Sequence, residues 1–408
     1  MNILLLTLYF QPDISANAVV MTSLAEGLSK LGHRLTVVTS MPHYAGNRIS
    51  SDYRNKLYVQ ESFNGLDVHR VYLYVPQEKK NLLGRILNYA TFNILSTIVG
   101  TLAGKYDAVL VPSPPLTNGL AAFCISCARD VPYIYNVQDI YPDVAIRLGV
   151  LTAPRAIALF KAMERFVYDK AAVISVISEG FRQNLLAKGV PSDKVHIIPN
   201  FVDPSFVRPL PRHNRFSQEQ HLNDHYIVLF AGNVGLSQGL ESVLRGAKLL
   251  SDWPKILFLI VGNGVARAGL MEQAEDMGLT NVRFLPFQPH EVVPELYATS
   301  DLCLVPLRRG IAEDSVPSKV YTIMAAGKPL VAAVDEGSDI WRLIHETGCG
   351  LLVPPEEPEA LAQAVLAFYQ DRARGEKMGL KGREVAKQEF TPRAVARKYT
   401  ELLEQVVA

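Results

Sequence analysis

Short runs of Val, Ile and Leu recur along this chain, and most are followed by a loop and a stretch of helical periodicity. The first half holds ILLLTL, LTVVTS, VHRVYLY, AVLVPSP, YIYNV, AVISVIS and VHIIPN; the second holds YIVLFAG, ILFLIVG, VRFLPF, LCLVPL, LVAAV and GLLVP. Strands that are apolar throughout are buried on both faces, and amphipathic helices such as VVMTSLAEGLSKLGH supply the covers. The expected class is α/β with doubly wound parallel sheets. The pattern breaks at NFVDPSFVRPLPRHNRFSQEQHLNDH, which is rich in Pro, His and polar residues, so a domain connection is expected near 200–225. Ligands of such sheets bind at the carboxyl ends of strands, and a cleft between two facing sheets is the expected active site.

Composition narrows the functions. A chain of 408 residues favours two or three domains, and 41 basic against 40 acidic side chains argue against a partner bound by broad charge neutralisation, such as nucleic acid. Cys124 and Cys127 have Cys-x2-Cys spacing but lie in the apolar run GLAAFCISCARD with no partner pair nearby, so they are expected in the core. Scattered cysteines fit a reducing cytoplasm. The start MNILLLTLYF has no basic region before its apolar run and reads as a first strand. Residues 81–105 are long and mostly apolar, but Arg85, Asn88 and Asn93 interrupt them. A helix lying in a membrane interface or packed in the protein is therefore expected, with Lys79, Lys80, Arg85 and Lys105 suited to an anionic surface.

Several strands of the second half end in glycine-bearing loops. FAGNVGLSQGL places Gly232, Asn233, Gly235 and Gln238 between a strand and a helix, and LIVGNG repeats the device with Gly262 and Gly264. Small residues there expose N–H groups to an anion, although glycine at a tight turn is common without any ligand. DSVPSKVYTIMAAGKPLVAAV, residues 314–334, reads as a polar loop, a helix beginning near Ser318 and Lys319, and a buried strand. A helix start presents unpaired amides and a positive dipole end, which suit a phosphate or sugar diphosphate.

In order along almost the whole chain, LGHRLTVVT, SEGF, IPNFVD, GNVGLSQGL, VGNG, VRFLPF, SDLCLVPL, PSKVYTIMAAGKPLVA and GCGLLVPPEEPEALAQAV resemble the retaining group 1 glycosyltransferases, often called family 4, of GT-B fold. YFQPDISANA, TSMPHYAGN, PSPPLTNG and YNVQDIYPDVAIRLGV are similar to a bacterial subgroup that builds O-antigen, capsule and exopolysaccharide, including N-acetylfucosaminyl- and fucosyltransferases. The resemblance implies two Rossmann-like domains. The first is an acceptor-binding domain at 1–205, to which a helix near 390–408 returns, and the second is a donor-binding domain at 206–389. It implies transfer of a sugar from a UDP-sugar, with GDP-fucose as the other candidate, to a prenyl-diphosphate-linked saccharide. No cofactor or metal is expected, and the enzyme would sit on the inner face of the cytoplasmic membrane through 81–105.

The family's Glu-x7-Glu pair falls on Asp314 and Thr322, with Glu313 as substitute for the first; Thr322 has one hydroxyl where a carboxylate would hold a ribose. Asn233 and Gln238 stand where many members carry Arg and Lys for the diphosphate, so the positive charge must come from elsewhere. Lys319 is the candidate, beside Ser318, with Arg308 and Arg309 in reserve; on position alone a helix-surface lysine is more often merely solvated. Phe287, closing VRFLPF, joins the donor side. In the first domain, Gln138 replaces the His of many relatives, which leaves Asp139 as the group able to take a proton. Front-face attack with the departing phosphate as base would need neither. His43 is a second acceptor-side candidate, and Asn17 in SANA stands where relatives place glycines under the phosphates. Competing readings are a nucleotide-sugar epimerase of the same fold, a dinucleotide oxidoreductase, disfavoured by the missing Gly-x-Gly-x-x-Gly, and a two-lobed solute-binding protein, disfavoured by the N-terminus.

Overall fold

The computed structural model describes residues 1–13, 15–44, 48–76, 82–147, 149–311 and 317–407. The chain forms two compact units, one of Met1–Pro199 with Pro392–Ala408 and the other of Asn200–Thr391.

The first unit is built on β1 (Asn2–Leu6), β2 (Arg34–Ser40), β3 (Tyr58–Phe63), β4 (Leu66–Val71), β5 (Ala108–Ser113), β6 (Tyr133–Val137), β7 (Val173–Val176) and β8 (Val195–Ile197), in the order β3-β4-β2-β1-β5-β6-β7-β8. All neighbours pair in parallel except β3 with β4. The antiparallel β3 departs from the expected pattern of apolar strands. Its sequence YVQESF covers only one face and lies at the sheet edge, so it needs no apolar run.

Successive residues of β6 show why both faces are apolar or paired. Tyr135 meets Tyr168 at a ring distance of 5.9 Å on helix Pro154–Lys170, while Asn136 donates to Ser175 Oγ at 3.0 Å. Ser175 in turn lies 3.1 Å from Tyr399 Oη on helix Pro392–Val407, which seats the C-terminal helix in this unit. Helix Leu82–Leu102 packs beside helix Asn118–Arg129, where a Cβ on Gly100 would meet Ile125 at 2.6 Å. Glycine there lets Ile125 lie against the neighbouring helix, and a larger residue would push that side chain aside. Cys124 and Cys127 are free and exposed, against expectation: the buried face of their helix is Asn118, Gly119, Ala121, Ala122 and Ile125, and spacing of three places both cysteines on the other side.

The second unit carries β9 (Tyr226–Ala231), β10 (Ile256–Val261), β11 (Val282–Leu285), β12 (Leu302–Pro306), β13 (Leu330–Ala333) and β14 (Gly350–Val353), all parallel, in the order β11-β10-β9-β12-β13-β14. Along β9, Ile227 and Leu229 join one core while Tyr226, Val228 and Phe230 join the other. Each fully buried large side chain contributes about 1.5–3 kcal/mol, so a strand apolar on both faces is stable only when helices cover both. The polar connection holds a short helix, Arg215–Glu219, started by an Asn214 and Ser217 capping box. Among the described residues, no helix is long and apolar enough to cross a membrane.

Candidate functional site

In the second sheet the winding reverses between β9 and β12, and the loops leaving these two strands flank a crevice at the carboxyl edge. They are tied together, since Arg308 N donates to Ser237 O at 2.9 Å. The loop after β9 runs through Gly232, with φ +146°, to Gly239 and into helix Leu240–Leu249. A Cβ at Gly232 would lie 3.4 Å from both Cε and Nζ of Lys319, so this glycine leaves room for the lysine. Gly262 and Gly264 have a different task. A Cβ on Gly262 would stand 1.9 Å from Gly232 O, and one on Gly264 2.2 Å from Val234 O. They let the β10 loop pass directly beneath the β9 loop, where Val234 N donates to Asn263 O at 2.9 Å. Asn233 is exposed and its amide nitrogen lies 2.9 Å from where a Cβ on Gly235 would be.

Lys319 opens helix Lys319–Ala325. Its ammonium donates to Gln238 Oε1 at 2.6 Å and sits 3.8 Å from the centroid of the Phe230 ring. Among the described residues no carboxylate pairs with it. Desolvation alone therefore lowers its pKa to about 7, because the ring and amide offset only part of the lost hydration. Lys319, Gln238 and Gly232 are thus brought together at the crevice, and an anion placed there would supply the missing counter-charge.

The helix start is less open than its sequence implies. Ser318 already has helical backbone, its hydroxyl caps nothing, and the amides of Val320 and Tyr321 are engaged by Pro317 O and Ser318 O. Thr322 is half-buried, one turn after Lys319. Phe287 stands exposed beyond β11. The reserve arginines are committed, Arg308 to Glu241 at 2.7 Å and Arg309 to Pro355 O at 3.2 Å. Glu313 and Asp314 lie outside the described residues.

In the first unit, Gln138 donates its side-chain amide to Asn136 Oδ1 at 2.7 Å, which joins it to the buried Asn136, Ser175 and Tyr399 chain. Asp139 follows on the turn after β6. Desolvation raises its carboxyl to about 6, while its edge keeps contact with solvent. His43 follows β2 and is buried, stacked on Tyr9 at 5.3 Å, with Nδ1 2.9 Å from Met41 O. Burial holds it neutral by lowering its pKa, with the proton on Nδ1 facing that carbonyl. Asp13 accepts from the backbone amides of His43 and Tyr44 at 3.1 and 2.9 Å and so fixes this loop. Arg70, fully buried on β4, pairs with Glu61 at 2.6 Å and donates to Gln11 O at 2.6 Å, holding the loop after β1. Asn17, in the first turn of helix Ala16–Lys30, has both amide atoms buried without a hydrogen-bond partner among the described residues. A buried amide left unpaired costs about 1–3 kcal/mol and marks a place for a polar ligand group.

Sequence reasoning passed over Phe230, Asp13 and Arg70. Phe230 is indistinguishable from its apolar neighbours in YIVLFAG. Asp13 follows a proline in a loop, and Arg70 interrupts an apolar strand, which is the one signal of the three that stands out in the sequence.

Two doubly wound units in tandem, each with a largely or wholly parallel sheet, form the architecture of the GT-B glycosyltransferases. Comparison with known proteins agrees. Residues 17–200 match the glycosyl transferase 4-like domain family and residues 212–385 the glycosyl transferases group 1 family. The chain belongs to the group 1 glycosyltransferases. It is 27% identical over 374 residues to WcaI of Escherichia coli K12, assigned as a colanic acid biosynthesis glycosyl transferase, spanning 90% of this chain and 91% of that one. Its fold is similar to sucrose-phosphate synthase of Thermosynechococcus elongatus, with TM-score 0.77, 18% identity, and coverage of 99% of this chain and 98% of the other. It is also similar to HepE of Anabaena solved with UDP and glucose, with TM-score 0.74, 16% identity, and 99% and 100% coverage.

Proposed function

We propose that this enzyme is a retaining glycosyltransferase of surface polysaccharide synthesis, of the O-antigen or capsule kind. It moves a sugar from a nucleotide diphosphate donor to a saccharide carried on a prenyl diphosphate. The observation that carries the reading is Lys319, a desolvated amine with no carboxylate partner among the described residues, beside a glycine loop at the winding reversal. When the bond between the anomeric carbon and the diphosphate breaks, negative charge grows on the leaving oxygen, and a preset cation stabilises that charge without reorganisation. In front-face transfer the acceptor oxygen bonds to the anomeric carbon on the same side. Its proton passes to the departing diphosphate, so no protein base is needed. Asp139 is the alternative proton acceptor.

HepE was solved with UDP and glucose, and this supports UDP as the donor's nucleotide; the sugar we assign to it is an N-acetylated hexosamine or deoxyhexosamine, with GDP-fucose as the second candidate donor. WcaI, assigned to an exopolysaccharide, supports the choice of product. The exposed apolar face of helix Leu82–Leu102 supports attachment to the inner surface of the cytoplasmic membrane.

The test is a thermal melt with UDP, GDP, ADP and their sugars, followed by incubation with and without a prenyl-diphosphate-linked saccharide. We expect UDP to raise Tm and product to form only with acceptor. Conversion of the donor alone would make the protein an epimerase, and no response to any nucleotide would remove the function altogether.

A further inference from the structure

The first unit carries an open cavity of about 330 Å³ between the start of helix Leu82–Leu102 and the loops that follow β1, β2 and β4. Tyr9, His43, Tyr44, Arg85, Asn88 and Tyr89 stand in its wall. The wall is fixed from behind, because Asn88 donates to Tyr74 O at 2.7 Å and Tyr74 N donates to Thr91 Oγ1 at 2.9 Å.

Arg85 is the one charged group among the described residues of this wall and can only donate, the hydroxyls of Tyr9, Tyr44 and Tyr89 can donate or accept, and the Asn88 amide nitrogen is already committed to Tyr74 O. Arg85 is exposed at its mouth, and among the described residues no carboxylate pairs with it. Burial beside Tyr89 and Tyr44 raises the pKa of Tyr9, so its hydroxyl keeps its proton. Among the described residues no carboxylate lines the space, and residues 82–106 contain no Asp or Glu in the sequence. The built acceptor is His43, 7% exposed, whose Nδ1 is taken by Met41 O and whose Nε2 is left without a partner among the described residues. A neutral sugar is usually held by acceptors as well as donors. A wall with one guanidinium, hydroxyls that can turn to donate and no carboxylate among the described residues matches a ligand rich in acceptors, namely a phosphate.

Beside Arg85 the helix turns apolar and stays exposed. Leu83 is 73% exposed, Leu102 77%, and Leu87, Ile94 and Ile98 lie between them on the same face, with Ile86 at its edge. Spacings of four, seven, four and four residues form one stripe. At 1.5 Å per residue it runs for roughly 30 Å.

We infer that cavity and stripe form one subsite for an amphiphilic acceptor. Its phosphate lies at Arg85, its sugar lies against Tyr9 and donates a hydroxyl to His43 Nε2, and its hydrocarbon chain runs along the stripe from Leu83 toward Leu102. The inference rests on the proposed transfer to a lipid-linked saccharide and deepens it. It places the anion and the chain on one helix.

The full-length protein is titrated with N-acetylglucosamine, N-acetylglucosamine 1-phosphate, inorganic phosphate and farnesyl-diphosphate-linked N-acetylglucosamine, and in parallel with UDP. We expect the sugar phosphate to bind at least tenfold more tightly than the free sugar, and the farnesyl compound at least tenfold more tightly again. Arg85→Gln should lose the first gain while Arg85→Lys keeps most of it. Leu83→Glu with Leu87→Glu should lose only the second, and Tyr89→Phe, which deletes one donor at constant shape, should weaken the phosphate severalfold. All variants should melt like the parent and bind UDP unchanged. Equal binding of sugar and sugar phosphate, or an Arg85→Gln variant that keeps the gain, overturns the inference and leaves the transferase reading intact. Loss of UDP binding by the parent overturns that reading instead. Vesicles of phosphatidylglycerol supply the remaining arm. If they bind through Arg85 while sugar phosphates do not, the arginine serves bilayer headgroups and the acceptor subsite is wrong.

Discussion

The strand-end loops of the two units are built from different materials. In the second unit the walls are backbone: Gly262 and Gly264 approach neighbouring carbonyls so closely that no side chain fits, Gly232 turns the chain at positive φ beside Lys319, and that lysine supplies the charge. In the first unit the walls are side chains, with Tyr9 on His43, Asp13 under both loop amides, and Arg85 at the cavity mouth. Backbone amides and glycines suit a group whose chemistry does not vary, such as a diphosphate. A wall of tyrosine, histidine and arginine can be changed one residue at a time without unsettling the sheet. The difference separates loops in the second unit that are suited to a constant group from loops in the first unit that are free to vary.

The sharpest way to break this contrast is to add one methyl group. Gly262→Ala puts a Cβ 1.9 Å from Gly232 O at φ +148°, where only glycine is relaxed. We expect a loss of at least about 3 kcal/mol, read as unfolding of the second unit at lower denaturant, together with loss of nucleotide binding. Gly149→Ala in the first unit meets nothing within 4 Å at φ +68° and should cost about 1–2 kcal/mol for the left-handed backbone alone. Similar losses at the two positions would end the claim that the second site is made of backbone contact. Next in size is Lys319→Ala, which should weaken nucleotide binding by about 1.5–3 kcal/mol, or roughly 10- to 150-fold by calorimetry. Lys328 is the control. It is tied to Ala298 O and Ser300 O at 2.8 Å each, so Lys328→Ala should lower Tm and leave nucleotide affinity unchanged. An undiminished affinity in Lys319→Ala would take Lys319 out of the site.

The two units were not equally legible. All six strands of the second sheet appear as mostly apolar runs in the sequence, because the four central ones are buried on both faces and the edge strands β11 and β14 are still half-buried. In the first sheet β3 was invisible, since YVQESF carries polar residues toward solvent at an edge. The loops show the same split. Gly232 could be picked from its position after a strand, but the division of labour among Gly232, Gly262 and Gly264 depends on distances between loops 30 residues apart in sequence. Lys319 was legible as a candidate, whereas its Phe230 seat and the commitment of Arg308 to Glu241 are tertiary facts. Cys124 and Cys127 misled because a mostly apolar helix was read as buried all round, while its packing needs only one face.

A titration sharpens the account of Lys319. With its pKa lowered to about 7 in the free protein, the amine loses its proton as pH rises through neutrality. A bound diphosphate favours the charged form and raises that pKa, so binding takes up a proton above pH 7. Nucleotide affinity should fall by up to tenfold per pH unit from about 7 upward, until the pKa of the complex is reached. Lys319→Arg, charged throughout, should flatten the slope, and a slope that survives in Lys319→Ala would assign it to another group.

The smallest expected effect belongs to Asp139, and its sign distinguishes strain from service. Its carboxyl is raised from 3.8 toward about 6 by desolvation. Between these values the folded chain holds a proton that the unfolded chain releases, so the stability penalty is absent below about pH 4, grows through pH 6 and is complete above it. Asp139→Asn should therefore leave Tm unchanged at pH 4 and raise it by about 1–2 °C at pH 7.5, a modest shift because the group keeps solvent contact. Under front-face transfer the same variant should keep its rate within about tenfold. A fall of a hundredfold or more, alongside the gain in Tm, would make Asp139 the proton acceptor, with its pKa raised for that work as catalytic bases require. The first unit would then hold part of the constant chemistry, and the division between a backbone half and a side-chain half would have to be redrawn.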